Sequence, residues 1–190
     1  TGTFFAHIAN TQLSDCMPCS PGYYCDILGR STLAGSCQEG YYCSSSATLS
    51  VQLVTTSTGG PCITGHYCLE GTGSFVPCPR GTYMASTLAT GNITYQGRAY
   101  RCDLCPSTRG CSKTSLTSPD STCEAGYFCK LGAPSSQPIC GEPFCQDMYG
   151  LCPVGHYCPA GNADPIISAD GTFMNHTGAT SCDLCPSGHY

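Results

Sequence analysis

Cysteine is the residue type in this sequence with the most chemical potential. It occurs nineteen times in 190 residues. Three Cys-x-x-Cys pairs, Cys16/Cys19, Cys102/Cys105 and Cys182/Cys185, have a spacing used by redox dithiols and by zinc knuckles. A redox dithiol sits at a helix start inside a βαβ unit, and nothing in the chain reads as either. Zinc needs four ligands, usually from two knuckles, and successive knuckles here lie about 80 residues or more apart. Spacing and density therefore favour structural disulfides over zinc or redox chemistry. His66, His156 and His189 recur regularly, as metal ligands would. Their register position is also held by Tyr23, Tyr41 and Tyr127, so histidine fills an aromatic slot and packing or hydrogen bonding is expected. His7 and His176 lie in variable loops. The twelve carboxylates are scattered, and Asp103 and Asp183 in "CDLC" suit turns. The acidic stretch 161–171 lacks the ordered ligand spacing of a calcium loop. No Gly-x-Ser-x-Gly or Gly-rich phosphate loop occurs, so no catalytic residue, metal ligand or cofactor is assigned.

Two sequons, Asn92-Ile93-Thr94 and Asn175-His176-Thr177, are candidate N-glycosylation sites in loops expected to be exposed. The Ser/Thr-rich stretch 44–60 either carries O-linked sugar or holds an exposed strand over 50–55. The strand is the favoured reading.

Such residues need elements to hold them, and composition says which kind. Leu, Ile, Val and Phe number 29, too few for a large apolar core. The net charge of -5 is too small for the usual disordered signature. Cross-links must supply what the core does not, each contributing roughly 3 kcal/mol for a loop of about 15 residues. Disulfides persist in oxidising compartments, so a secreted or cell-surface location is expected. Charged residues are 10% and weakly acidic, which disfavours nucleic acid, and no apolar run is long enough to span a membrane.

One cassette, Cys-x-x-Gly-aromatic-aromatic-Cys, repeats: "CSPGYYC" from Cys19 to Cys25, "CQEGYYC" from Cys37 to Cys43, "CITGHYC" from Cys62 to Cys68, "CEAGYFC" from Cys123 to Cys129 and "CPVGHYC" from Cys152 to Cys158. "CPSTRGC", Cys105 to Cys111, keeps the spacing and loses the Gly-aromatic core. Glycine suits a tight turn between two cysteines, and the aromatic is expected to lie over a bridge. Above the cassette lies a longer repeat. "GTFF" at Gly2, "GTYM" at Gly81 and "GTFM" at Gly171 each open a stretch leading to Cys-x-x-Cys. This predicts unit 1 over 1–78, unit 2 over 79–168 and the start of a third over 169–190. Register with the earlier copies makes cysteine the expected residue after Tyr190, in a chain that is a window on a longer array. The expected fold is a small disulfide-rich one. It is mostly loops with short β-strands and little or no helix, in an elongated tandem array.

"CPRGTY…CDLCPSTRGC" and "CMPCSPGYYC" resemble the ephrin-receptor-like cysteine-rich repeat, a relative of TNF-receptor and EGF-like modules. The resemblance covers most of the chain. It implies an extracellular, non-enzymatic protein of the receptor, adhesion, matrix or filament type. The TNF-receptor-like pairing it implies joins Cys78–Cys102, Cys105–Cys123, Cys111–Cys129, Cys19–Cys37 and Cys25–Cys43. Cys62–Cys68, Cys140–Cys145 and Cys152–Cys158 are then local bridges. Cys16, Cys182 and Cys185 are left unpaired or intermolecular, with Ser168 standing where Cys182 would find its partner. Two functions follow. One is a structural rod in a stalk, matrix or filament, whose partners are copies of itself or neighbouring repeats, coated by N-linked and O-linked glycans. The alternative is a receptor-like ectodomain. Candidate anchors for a ligand are Phe4, Phe5, Phe75, Tyr95, Tyr100, Phe144 and Tyr149, and their scatter favours the scaffold.

Overall fold

The computed structural model describes residues 2–5, 16–27, 31–89, 93–95, 98–141 and 145–188. It is a small disulfide-rich fold, and among the described residues no helix occurs. All regular structure is in two-stranded antiparallel ladders. β1 (Thr3–Phe5) pairs with β2 (Cys16–Pro18), β3 (Tyr23–Tyr24) with β4 (Gly35–Ser36), β5 (Tyr41–Cys43) with β6 (Gly59–Pro61) and β7 (His66–Tyr67) with β8 (Val76–Pro77). β9 (Thr82–Tyr83) closes on β12 (Asp103–Leu104), with the hairpin of β10 (Ile93–Tyr95) and β11 (Arg98–Tyr100) lying between them in the chain. β13 (Arg109–Gly110) pairs with β14 (Ser121–Thr122), and β15 (Tyr127–Cys129) with β16 (Tyr149–Leu151). β17 (His156–Tyr157) pairs with β18 (Ile166–Ile167), and β19 (Thr172–Phe173) with β20 (Asp183–Leu184).

The cassette explains this order. A cassette turns at its fourth residue, and its fifth and sixth residues form a strand. The partner strand comes directly before the next cassette. The elementary module is thus one hairpin, and each longer sequence unit is a run of four, turning at Gly2, Gly22, Gly40 and Gly65 and then at Gly81, Thr108, Gly126 and Gly155. The "GTYM" stretch is itself a cassette: Cys78-x-x-Gly81-x-x-Met84 carries methionine in the seventh position.

The chain divides into two compact units: Thr1–Cys78 with Met84–Cys102, and Pro79–Tyr83 with Asp103–Tyr190. The segment 84–102 therefore belongs with the unit preceding it. In the first unit Cys78, Met84, Ala89 and Cys102 form a buried cluster with Tyr67 against it.

The core is sulfur. Among the described residues sixteen cysteines are paired, and cassette cysteines such as Cys19, Cys43 and Cys111 are 0% exposed. The stretch 50–55 is not a strand. Gln52 turns inward, buried, and its Nε2 donates to the Leu49 carbonyl at 3.0 Å. That inward amide breaks the alternation a strand would need, and leaves Leu53 and Val54 facing outward.

Candidate functional site

The feature repeated at six of the modules is a bridged turn, and the bridge is local. Cys19 joins Cys25, Cys37 joins Cys43, Cys62 joins Cys68, Cys105 joins Cys111, Cys123 joins Cys129 and Cys152 joins Cys158. Cys78–Cys102 and Cys140–Cys145 complete the set. The crossed pairs Cys19–Cys37, Cys25–Cys43, Cys105–Cys123 and Cys111–Cys129 are corrected. The reason is the turn. At Gly22 φ is 87°, and the chain reverses so sharply that the Cys19 and Cys25 Cα atoms stand 6.2 Å apart, within bridging reach. A seven-residue ring restrains the unfolded chain by about 2 kcal/mol, roughly 1 kcal/mol less than the longer loop of a crossed pair would. Hydrogen bonds between modules make up the difference.

Those bonds follow one scheme. The turn residue donates its N–H to the seventh residue of the next cassette and accepts from the first. Gly22 N–H donates to Cys43 O at 2.8 Å, and Gly22 O accepts from Cys37 N–H at 2.8 Å. Gly40 does the same with Cys68 and Cys62, Gly81 with Cys111 and Cys105, and Gly126 with Cys158 and Cys152. A second scheme clasps each cassette from further along. Gly71 N–H donates to Cys37 O, and Thr72 O accepts from Cys43 N–H. Ser46/Ala47 clasps Cys19/Cys25, Leu88/Ala89 clasps Cys62/Cys68, Gly132/Ala133 clasps Cys105/Cys111, Gly161/Asn162 clasps Cys123/Cys129 and Gly178/Ala179 clasps Cys152/Cys158. The first clasp residue is left-handed each time, even as Ser46 (φ 55°) and Leu88 (φ 62°). Sequence reasoning missed the clasp, whose signals are glycine in the first place of four of these six and alanine in the second place of four.

"CPSTRGC" keeps the scheme despite its sequence. Thr108 takes φ 67°, donates to Cys129 O at 2.7 Å and accepts from Cys123 N–H at 2.9 Å. The expected aromatic shield exists but is shifted by one module. Tyr24 packs on Cys37 and Cys43, and Phe128 on Cys152 and Cys158. Gly110 stands in that shielding position, where a Cβ would lie 2.4 Å from Ser135 O. Backbone thus occupies the ring's place, and Tyr127 and Tyr149 cover Cys123–Cys129 instead.

One rung is open. Ser168 Oγ and Cys182 Sγ are in contact, in the register where the earlier unit has Cys78–Cys102. Cys16, Cys182 and Cys185 are unpaired and half-buried. His66 and His156 share one geometry, each with Nδ1 about 3 Å from the carbonyl two residues back, of Thr64 and Val154. His189 and His7 lie outside the described residues. Asn175 is exposed, directly after buried Met174, whereas Asn92 lies outside the described residues. Of the candidate anchors, Phe75 is 37% exposed and packs edge-on to Tyr42 and His66. Phe4 is half-buried, and Tyr149 belongs to the Cys123–Cys129 cluster. The side chains of Phe5, Tyr95, Tyr100 and Phe144 lie outside the description.

The second unit holds an open groove of about 600 Å³ lined by Phe128, Lys130, Tyr149, Leu151, Asp147 and Asp164 among others. Lys130 Nζ and Asp164 Oδ1 pair across it at 3.1 Å. Among the described residues no group of three or more His, Cys, Asp or Glu is gathered to hold a metal ion. Two carboxylates brace loops. Burial raises Asp120, but the Ser112 hydroxyl and amide outweigh it and hold the carboxyl below its usual range. Glu124 is held low by the Ser136 hydroxyl and then the Gln137 amide.

No known family model and no curated protein matches the chain. Among the described residues no helix is long and apolar enough to cross a membrane. The bridge content is that of proteins from oxidising compartments.

Proposed function

We propose that the chain is a non-enzymatic extracellular structural protein, a disulfide-stapled and glycosylated array belonging to a stalk, matrix or filament. It is a protein of the kind the ephrin-receptor-like resemblance implies. The observation that carries this reading is the module-to-module hydrogen bonding. Within each unit the same backbone groups of each turn meet the same groups of the following cassette, whatever side chains lie between. A design repeated in the backbone and varied in the side chains suits load-bearing better than the recognition of one ligand. Apart from the buried turn and strand glycines, the buried residues are nearly all cysteine, alanine, methionine and phenylalanine, and the polar clusters are loop braces.

Electron microscopy of the native material is the test. Fibres or stalks with a regular axial repeat are expected, and dispersed particles that bind a soluble protein ligand would instead establish the receptor reading. Asn175 is expected to carry an N-linked glycan, read as a mass loss on treatment with an N-glycan-removing enzyme that Asn175→Gln reduces.

A further inference from the structure

Two departures from the repeat, one in each unit, are complementary. The first is a missing ring. Positions 62–78 and 152–168 are of equal length, so Phe75 and Pro165 share a register, as do Ser74 and Asp164. In the cassettes before them, Tyr42 answers to Phe128 and Ser44 to Lys130. In the first unit the Phe75 ring stands edge-on to Tyr42, with centroids 5.4 Å apart, and to His66 at 4.8 Å. In the second unit proline replaces that ring, and the open groove of about 600 Å³ lies there, lined by Phe128 and Pro165 among others. Its volume is that of sites which take a ligand. The module behind it is complete: Gly161 N–H donates to Cys123 O at 2.7 Å, and Asn162 O accepts from Cys129 N–H at 3.0 Å. The groove is thus opened by the side-chain types that line it.

Its charges also belong to this unit alone. The Lys130–Asp164 pair stands where the first unit has two serines, and the exposed Asp147 adds a second carboxylate to the lining. One cation faces two anions beside aromatic rings. Such a groove suits an aromatic group carried next to a positive charge.

The second departure is an added hairpin. Met84 to Cys102 spans 18 positions, and Met174 to Cys182 spans eight. The longer segment holds β10 and β11 and belongs with the first unit. In its ladder Tyr95 is opposite Arg98, and Ile93 is opposite Tyr100. With Arg101, two tyrosines and two of the chain's seven basic residues fall within 95–101. No other stretch of the sequence brings two of each so close together.

We propose that the groove of the second unit takes the β10–β11 hairpin of a second copy of this chain. Tyr95 of that copy fills the place Phe75 holds in the first unit, and its Arg98 meets Asp147. This contact rests on the structural reading above and supplies an association between arrays.

Sedimentation velocity with thiols blocked is the test. The unaltered chain is expected to show concentration-dependent association. Arg98→Glu and Asp147→Lys each set like charges together and are each expected to weaken association at least about tenfold. Mixed in equal amounts, the two variants are expected to regain it. The altered hairpin of one then matches the altered groove of the other, and the remaining pair is the native one. Recovery on mixing also shows that both variants fold. Pro165→Phe supplies the ring the first unit carries, and is expected to fill the groove and leave the chain monomeric. An unaltered chain that stays monomeric, single variants that assemble normally, a mixture that stays monomeric, or a Pro165→Phe chain that assembles normally would each overturn the proposal. Monomers in solution alongside native fibres would refute this contact alone. Oligomers in solution alongside native material without fibres would support the contact and refute the structural reading.

Discussion

Thr108 and Gly22 perform the same task with different residues. Both hold a left-handed turn and both make the two inter-module bonds. A β-branched residue at positive φ carries strain of about 1–2 kcal/mol. Thr108→Gly should relieve it and raise stability by about 1 kcal/mol, less the extra entropy of the unfolded glycine, read from the denaturant midpoint under non-reducing conditions. Gly22→Ala should do the opposite, because its Cβ would lie 2.2 Å from the Gly71 carbonyl. A loss of about 2 kcal/mol or more is expected in the same assay. At the open rung, Ser168→Cys should form a ninth bridge to Cys182. It would appear as one fewer titratable thiol and a higher melting temperature, since the equivalent Cys78 and Cys102 stand 5.8 Å apart at Cα.

The hairpin is the element, and its two carboxylate braces give it a pH dependence. Asp120 and Glu124 are both held below their usual values in the folded chain. Their contribution is therefore fully present above the unfolded value, 4.5 for glutamate, and is lost as pH falls through the folded value. Melting temperature should be flat with respect to these groups from neutral pH down to about 5 and fall below that. Glu124→Gln should flatten part of the fall. Much of the element was legible beforehand. The Cys-x-x-Gly spacing marked a turn followed by an extended pair, and the repeat of that spacing marked the register. The stretch 50–55 misled because four β-prone or apolar residues look like a strand, and only the inward turn of Gln52 decides otherwise. Thr108 looked like a lost cassette, because φ is set there by bonds to Cys129 and Cys123 that no local pattern announces.

At the scale of the whole molecule, the sequence carried the number of unpaired cysteines and the position of Ser168 opposite Cys182. It did not carry the pairing. Connectivity depends on how far a turn reverses the chain, and two cysteines six apart look the same in sequence whether they bridge each other or the neighbouring cassette. The resemblance favoured crossed pairs, and the left-handed turns favour local ones. The difference changes what holds the array together. With crossed pairs, covalent bonds tie successive cassettes. With local pairs, each cassette that has cysteine at both ends is a closed ring, and the modules are joined by hydrogen bonds and by rings such as Tyr24 and Phe128 laid over the next bridge.

Tryptic digestion without reduction, after the free thiols are blocked, separates the two arrangements. Arg30 lies between Cys25 and Cys37, and Arg80 follows Cys78. Local pairing predicts that residues 1–30 leave as a free peptide with the mass of an internal Cys19–Cys25 bridge. If residues 1–30 instead stay joined to residues 31–80 until a reductant is added, the cassettes are crossed and the account of the ladder is wrong.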